Sequence, residues 1–181
     1  MENQEEVNTS QHSIKWGIIL GLIAIIITLI AYLIDITLLA KSGVGLISLA
    51  ISIAIVIYAG RDYRSKLGGY MSFKEAFIHA FVVLVISGFL GVLFNILLYN
   101  VIDPDVVPIL VEAQMENAMK AMEAFGGASN TEMMDGMAEG IKDGYTVTGQ
   151  ATGFLWLLII YAIGALIVGA INKKKNKEEE F

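Results

Sequence analysis

The stretch GRDYRSKLGGYMSFKEAF, residues Gly60 to Phe77, decides the reading of this chain. It is the single strongly basic, turn-rich connection between two long apolar runs, with Arg61, Arg64, Lys66 and Lys74 set against Asp62 and Glu75. Gly68 and Gly69 supply a turn free of Cβ restrictions. Ser72 followed three residues later by Glu75 is a capping-box pattern, so the spacing predicts a helix that starts at Met71 or Ser72 and runs to about Ile102.

The runs on either side are long and nearly free of charge. About 20 residues at 1.5 Å per residue cross a hydrocarbon core of about 30 Å. The chain has 181 residues, is 56% hydrophobic with a mean hydropathy of +0.67, and gathers its 17% of charged residues into blocks between the runs. This pattern predicts an all-α membrane protein with four transmembrane helices, at residues 14–34, 44–59, 76–102 and 151–171. Residues 1–13 and 172–181 form cytoplasmic tails, 60–75 a basic cytoplasmic loop, and 103–149 an extracytoplasmic helical hairpin between the third and fourth helices.

Outward from the central stretch, each segment carries its own signals. The polar start, with Glu2, Glu5 and Glu6, lacks the basic beginning and cleavage site of a secretory signal. Lys15 and Trp16 stand where interface anchors stand. Gly17 and Gly21 form a GxxxG pair, which either admits a second helix closely or is ordinary membrane glycine use; Gly149 and Gly153 repeat the spacing. Asp35 to Gly43 is short enough to join only antiparallel neighbours. Asp103, Pro104 and Asp105 end the third helix, because proline cannot continue it and two acids mark exit into water. Beyond them, Val111, Met115, Ala118, Met119, Met122 and Phe125 recur at helical spacing. Gly126 and Gly127 break that helix, and Ser129 with Glu132 opens a second one striped by Met133, Met137 and Ile141. Gly136 and Gly140 make the second arm the softer, each by about 1 kcal/mol relative to alanine.

The placement of bases gives the threading. With the N-terminus in the cytoplasm, nine of the twelve bases fall inside and only Lys41, Lys120 and Lys142 outside. The 103–149 segment then faces outward with nine acids, two bases and a net charge of −7.

Chemistry is sparse. The net charge of −6 argues against a general nucleic-acid binder, and the absence of cysteine excludes disulfides, thiolate zinc sites and cysteine nucleophiles. Hydrolase, metalloprotease, nucleotide and dinucleotide motifs are missing, so no enzyme activity and no cofactor are expected. Apart from the anchor Lys15 at the edge of the first, no charge lies inside a run, which weighs against a pump. Of the two histidines, His12 falls in the tail and His79 near the inner end of the third helix; a lone histidine there reads as structural or solvated ahead of metal-binding. Met115, Met119, Met122, Met133, Met134 and Met137 cluster in the outer segment, where thioethers either pack a small hairpin or present soft ligands suited to Cu(I). Asn95 is the strongly polar candidate of the third helix; with Thr28, Ser52 and Ser87 it would line any path for a small solute.

Four spans, the inner GRDYRSKLGGYMSFKEAF, the outer IDPD and a helical insertion before the last span together resemble the bacterial membrane family called domain of unknown function 4199. The residues that carry the resemblance most are Arg61, Tyr63, Arg64, Gly69, Tyr70, Phe73, Glu75, Ala76 and Phe77. It implies a bacterial inner-membrane protein and brings no established activity. The sequence therefore predicts a multi-pass protein, with the bilayer as its first partner, that works through contacts with a second copy or an accessory protein. A small-solute channel or carrier is the alternative, and extracytoplasmic Cu(I) or cation binding a lesser one.

Overall fold

The computed structural model describes residues 9–124 and 131–175. Those residues form α1 (Thr9–Ile34), a 3₁₀ turn (Ile36–Ala40), α2 (Ser42–Lys66), α3 (Phe73–Leu97) continued by a π turn (Leu98–Ile102), α4 (Val106–Ala124), α5 (Thr131–Asp143) and α6 (Val147–Asn172). Among them there is no strand, only an isolated antiparallel bridge between Met71 and Lys174. Four helices, α1, α2, α3 with its π turn, and α6, are long and apolar enough to cross a membrane. The all-helical class and the four spans thus agree with the sequence. Glu2, Glu5, Glu6, Phe125, the Gly126–Gly127 break, the Ser129 cap and the tail from 176 onward lie outside the described residues.

The described residues divide into two compact units. The first comprises residues 9–23, 49–90 and 156–175, the second residues 24–48, 91–124 and 131–155. In the first unit the core is built from Leu20, Val56, Ala80, Val83, Ala165 and Val168. Small residues let the helices close on it. A Cβ at Gly17 would stand 2.7 Å from Ile86 Cβ, and one at Gly21 2.8 Å from Leu90 Cδ1, so the first GxxxG pair is filled by α3 of the same chain. Gly88 receives the Tyr161 ring, and Gly169 lies against the Phe77 backbone. The second GxxxG pair has no such use: Gly149 packs on the Asp143 carbonyl of its own turn, and Gly153 faces open space.

One difference from the sequence reading concerns the basic stretch. Residues 60–66 are the last turns of α2, not loop. Nothing breaks the helix before Gly68 and Gly69, whose φ angles of 82° and 94° need the glycine backbone. Arg64 Nη1 donates to the Asn172 carbonyl at 2.9 Å, a cation closing the C-terminus of α6. The capping box is formed in both directions. Ser72 N donates to Glu75 Oε2 at 2.8 Å, and Glu75 N to Ser72 Oγ at 3.2 Å. Met71 and Lys174 exchange backbone hydrogen bonds of 2.9 and 2.8 Å, tying the α2–α3 turn to the segment after α6.

In the second unit Leu98, Tyr99, Val106 and Leu110 form the core, with Tyr32, Phe94 and Tyr145 against it. Asp103 caps the π turn and accepts from the Tyr32 hydroxyl at 2.8 Å. Asp35 accepts from Thr37 N at 2.9 Å and from its hydroxyl, which holds the carboxyl below its usual range. α4 packs on the 3₁₀ turn, where Asn117 Nδ2 donates to the Ala40 carbonyl at 3.0 Å, and on α5.

Two substitutions test these contacts by thermal or denaturant unfolding in detergent. Gly17→Ala drives a methyl into Ile86 and costs about 1–3 kcal/mol, whereas Gly91→Ala, which meets nothing within 4 Å, costs nothing. Ser72→Ala removes the cap of α3 and costs about 0.5–2 kcal/mol, while Ser72→Asp keeps it.

Candidate functional site

The richest chemistry sits in the first unit, where the start of α1, the end of α2 and the start of α3 meet. α1 begins at Thr9, five residues before the apolar run, and so carries His12 into the packed interior at 6% exposure. Two bonds hold this first turn: Ser13 Oγ donates to the Thr9 carbonyl at 2.8 Å, and the Thr9 hydroxyl pairs with the Tyr63 hydroxyl. His79, on the second turn of α3, is fully buried.

Three ionisable side chains form a line. Asp62 Oδ2 lies 2.8 Å from His12 Nε2, and His12 Nδ1 lies 2.8 Å from His79 Nε2. A carboxylate can only accept, so His12 Nε2 carries a proton. With His12 neutral, its Nδ1 then accepts from His79 Nε2–H, an assignment that follows from the network. His79 Nδ1 is left buried with no hydrogen-bond partner among the described residues. Asp62 also accepts from Lys66 Nζ at 3.0 Å and, at a longer 3.4 Å, from Trp16 Nε1.

Aromatic rings wall the line in. Tyr63 stacks on His79 with centroids 4.8 Å apart and planes 7° from parallel, and lies 5.1 Å from the His12 ring. Trp16 packs edge-on against Tyr58 at 5.4 Å. Next to this cluster Asn172 is 1% exposed, its amide is without a partner among the described residues, and Gly60 makes room for it. Gly60 and Tyr63 lie three residues apart, so Asn172 and His79 abut one face of α2. The arrangement can hold and shift a proton between two rings while a carboxylate balances the charge.

Most residues singled out by sequence lie elsewhere. Arg61 is exposed on α2, and Arg64, Gly69, Ser72 and Glu75 shape the α2–α3 turn. Asn95 is half-buried on α3 and Asp103 binds Tyr32, both in the second unit. Ser52 and Ser87 do meet: with Leu20, Val56, Tyr161 and Gly164 they line a largely apolar cavity of about 240 Å³ in the first unit. Thr28 turns its hydroxyl to the Ala24 carbonyl of its own helix at 3.1 Å. Met119 and Met133 are exposed, while Met115, Met122, Met134 and Met137 are half-buried on α4 and α5. The described residues hold no group of three or more His, Cys, Asp or Glu set for a metal ion.

The histidine pair escaped sequence reasoning, which placed His12 in a tail and took His79 as solitary. A signal was present: the start of the first span, the end of the second and the start of the third fall on one side of any membrane the chain crosses. That side holds both histidines and Asp62. His12→Ala is expected to leave His79 with two unpartnered ring nitrogens and to cost about 1–3 kcal/mol in detergent unfolding.

None of the curated proteins compared with this chain matches it, and no solved structure does. The family described as "Protein of unknown function (DUF4199)" matches over residues 15–174, a stretch that contains Asp62, His79 and all four spans from Lys15 onward. The chain belongs to that family.

Proposed function

We propose that this is a proton-responsive, multi-pass protein of the bacterial inner membrane, with both termini in the cytoplasm. Acidification releases α1 from α2 and α3, and the protein acts by changed contacts with another membrane protein or a second copy, not by catalysis. The observation that carries the reading is the buried bond between His12 and His79 anchored on Asp62.

The switching follows from proton counting. In the neutral pair one N–H fills the gap between the rings. A first added proton is accommodated without breaking that bond: His79 Nδ1 gains a hydrogen and the bridging proton can move to His12, beside Asp62. A second added proton puts N–H groups on both facing nitrogens, and the 2.8 Å contact becomes a repulsion between two cations. The link is therefore present at neutral pH and lost as pH falls. The charged and titratable groups facing the pair are Lys15 on α1 and Asp62, Tyr63 and Lys66 on α2. An aqueous opening is provided at Asp62, whose side chain is 30% exposed.

The threading is supported by nine bases against three. It puts the histidine pair at the cytoplasmic ends of the spans and α4 and α5 outside the cell. One observation favours a second reading, small-solute binding: Ser52 and Ser87 share the apolar cavity of the first unit.

Hydrogen exchange of residues 9–16 in nanodiscs tests the switch. Between about pH 7.5 and about pH 3.5, a range that reaches well below the ordinary histidine pKa of about 6.5 because only the second proton, added to an already charged pair, breaks the bond, the wild type is expected to lose protection after correction for intrinsic exchange. His79→Gln should abolish that pH dependence; an unchanged wild-type profile would sink the proposal. For the threading, the chain has no native cysteine, so Met134→Cys reports alone. An impermeant maleimide is expected to reach it in intact cells, and labelling only after lysis would reverse the orientation.

A further inference from the structure

The second unit contains a cavity of about 550 Å³, within the size range of small-molecule sites. The π turn after α3, the first turns of α4, the end of α5 and the turn before α6 line it. Its walls are mainly apolar, with Tyr99, Val107, Pro108 and Val111. Its shape is fixed by bonds around Tyr145. Asn100 Nδ2 donates to the Tyr145 carbonyl at 3.1 Å, Gln114 donates to the Tyr145 hydroxyl, and the Tyr145 ring stands edge-on to Tyr99 at 5.0 Å and 88°. Burial, reinforced by Tyr99, pushes the Tyr145 phenol up to about 12, so it stays neutral at any physiological pH.

Two charges line this apolar space, Glu112 from α4 and Lys142 from α5. Neither forms an ion pair with the other or with any described residue. A cationic ligand would leave Lys142 opposed, and an anionic one Glu112. We infer that the cavity binds a small zwitterion with an apolar body, its ammonium facing Glu112 and its anionic group facing Lys142. The inference does not depend on the histidine switch, which lies in the other unit. Tyr99 and Asn100 close the third span and Thr146 precedes the fourth, so the cavity lies where the helices leave the bilayer. Such a zwitterion reaches it either as the phosphoethanolamine head of a membrane lipid or as a free apolar amino acid.

The full chain in phosphatidylglycerol nanodiscs distinguishes the sources. Native mass spectrometry after adding phosphatidylethanolamine reads the lipid, and calorimetric titration with L-leucine reads the free zwitterion. Retention of phosphatidylethanolamine over phosphatidylglycerol, or saturable leucine binding, supports the site and names its source. Glu112→Gln and Lys142→Gln, both at exposed positions, are each expected to weaken that binding about tenfold with unchanged thermal unfolding. The exchanged pair E112K/K142E should recover it, since a zwitterion can bind reversed. No preference for either probe, or single variants that bind like wild type, would overturn the proposal.

Discussion

Hydrocarbon offers no hydrogen bonds, and every backbone N–H and C=O that enters it must be satisfied within the chain. This constraint sets the four long helices of the protein and leaves little else to hold them together, because lipid tails are as apolar as the side chains between the spans. Close approach and polar contacts do the holding. Gly17 and Gly21 let α1 touch α3, and Gly88 and Gly169 admit Tyr161 and Phe77 between α3 and α6. At the helix ends the contacts turn polar, with Arg64 on α6, the Ser72–Glu75 box on α3, and Asp62 on His12.

The Asp62–His12–His79 line differs from the others in passing through two imidazoles that face each other. Two imidazoles sharing one proton are conditional by nature, and here burial and the stacked Tyr63 ring shield their contact from water. In the reading proposed above, such a pair ties the packing of α1 to the acidity of the solution beside it. The second unit is organised differently, around tyrosines and a roomy cavity with opposed charges on its wall.

Much of this was legible in the sequence because the signals are local. Unbroken apolar runs mark the spans, and Ser72 with Glu75 marks a helix start that the two cap bonds satisfy. Gly68 and Gly69 mark a turn whose φ angles are positive. The family resemblance rested on that same stretch and is matched over residues 15–174. What was not legible depends on contacts across the chain. Asp62 stands among bases in the sequence and meets His12 only once α1 is docked beside α2. His12 reads as tail because hydropathy begins at Ile14, yet the helix starts at Thr9, where the Tyr63 hydroxyl gives its first turn a partner. The extent of α2 differs from the sequence reading for a related reason: charge marks the end of an apolar run, but the helix ends only where the backbone must turn.

The bridge between Met71 and Lys174 ties the order of synthesis to the order of assembly. Lys174 emerges from the ribosome after all four spans, so a nascent chain with three spans inserted still has the Met71 amide and carbonyl without their Lys174 partners. Arg64 likewise waits for the Asn172 carbonyl. The turn between α2 and α3 is thus completed last although it is made early, and an unfinished chain is chemically distinguishable there from a finished one.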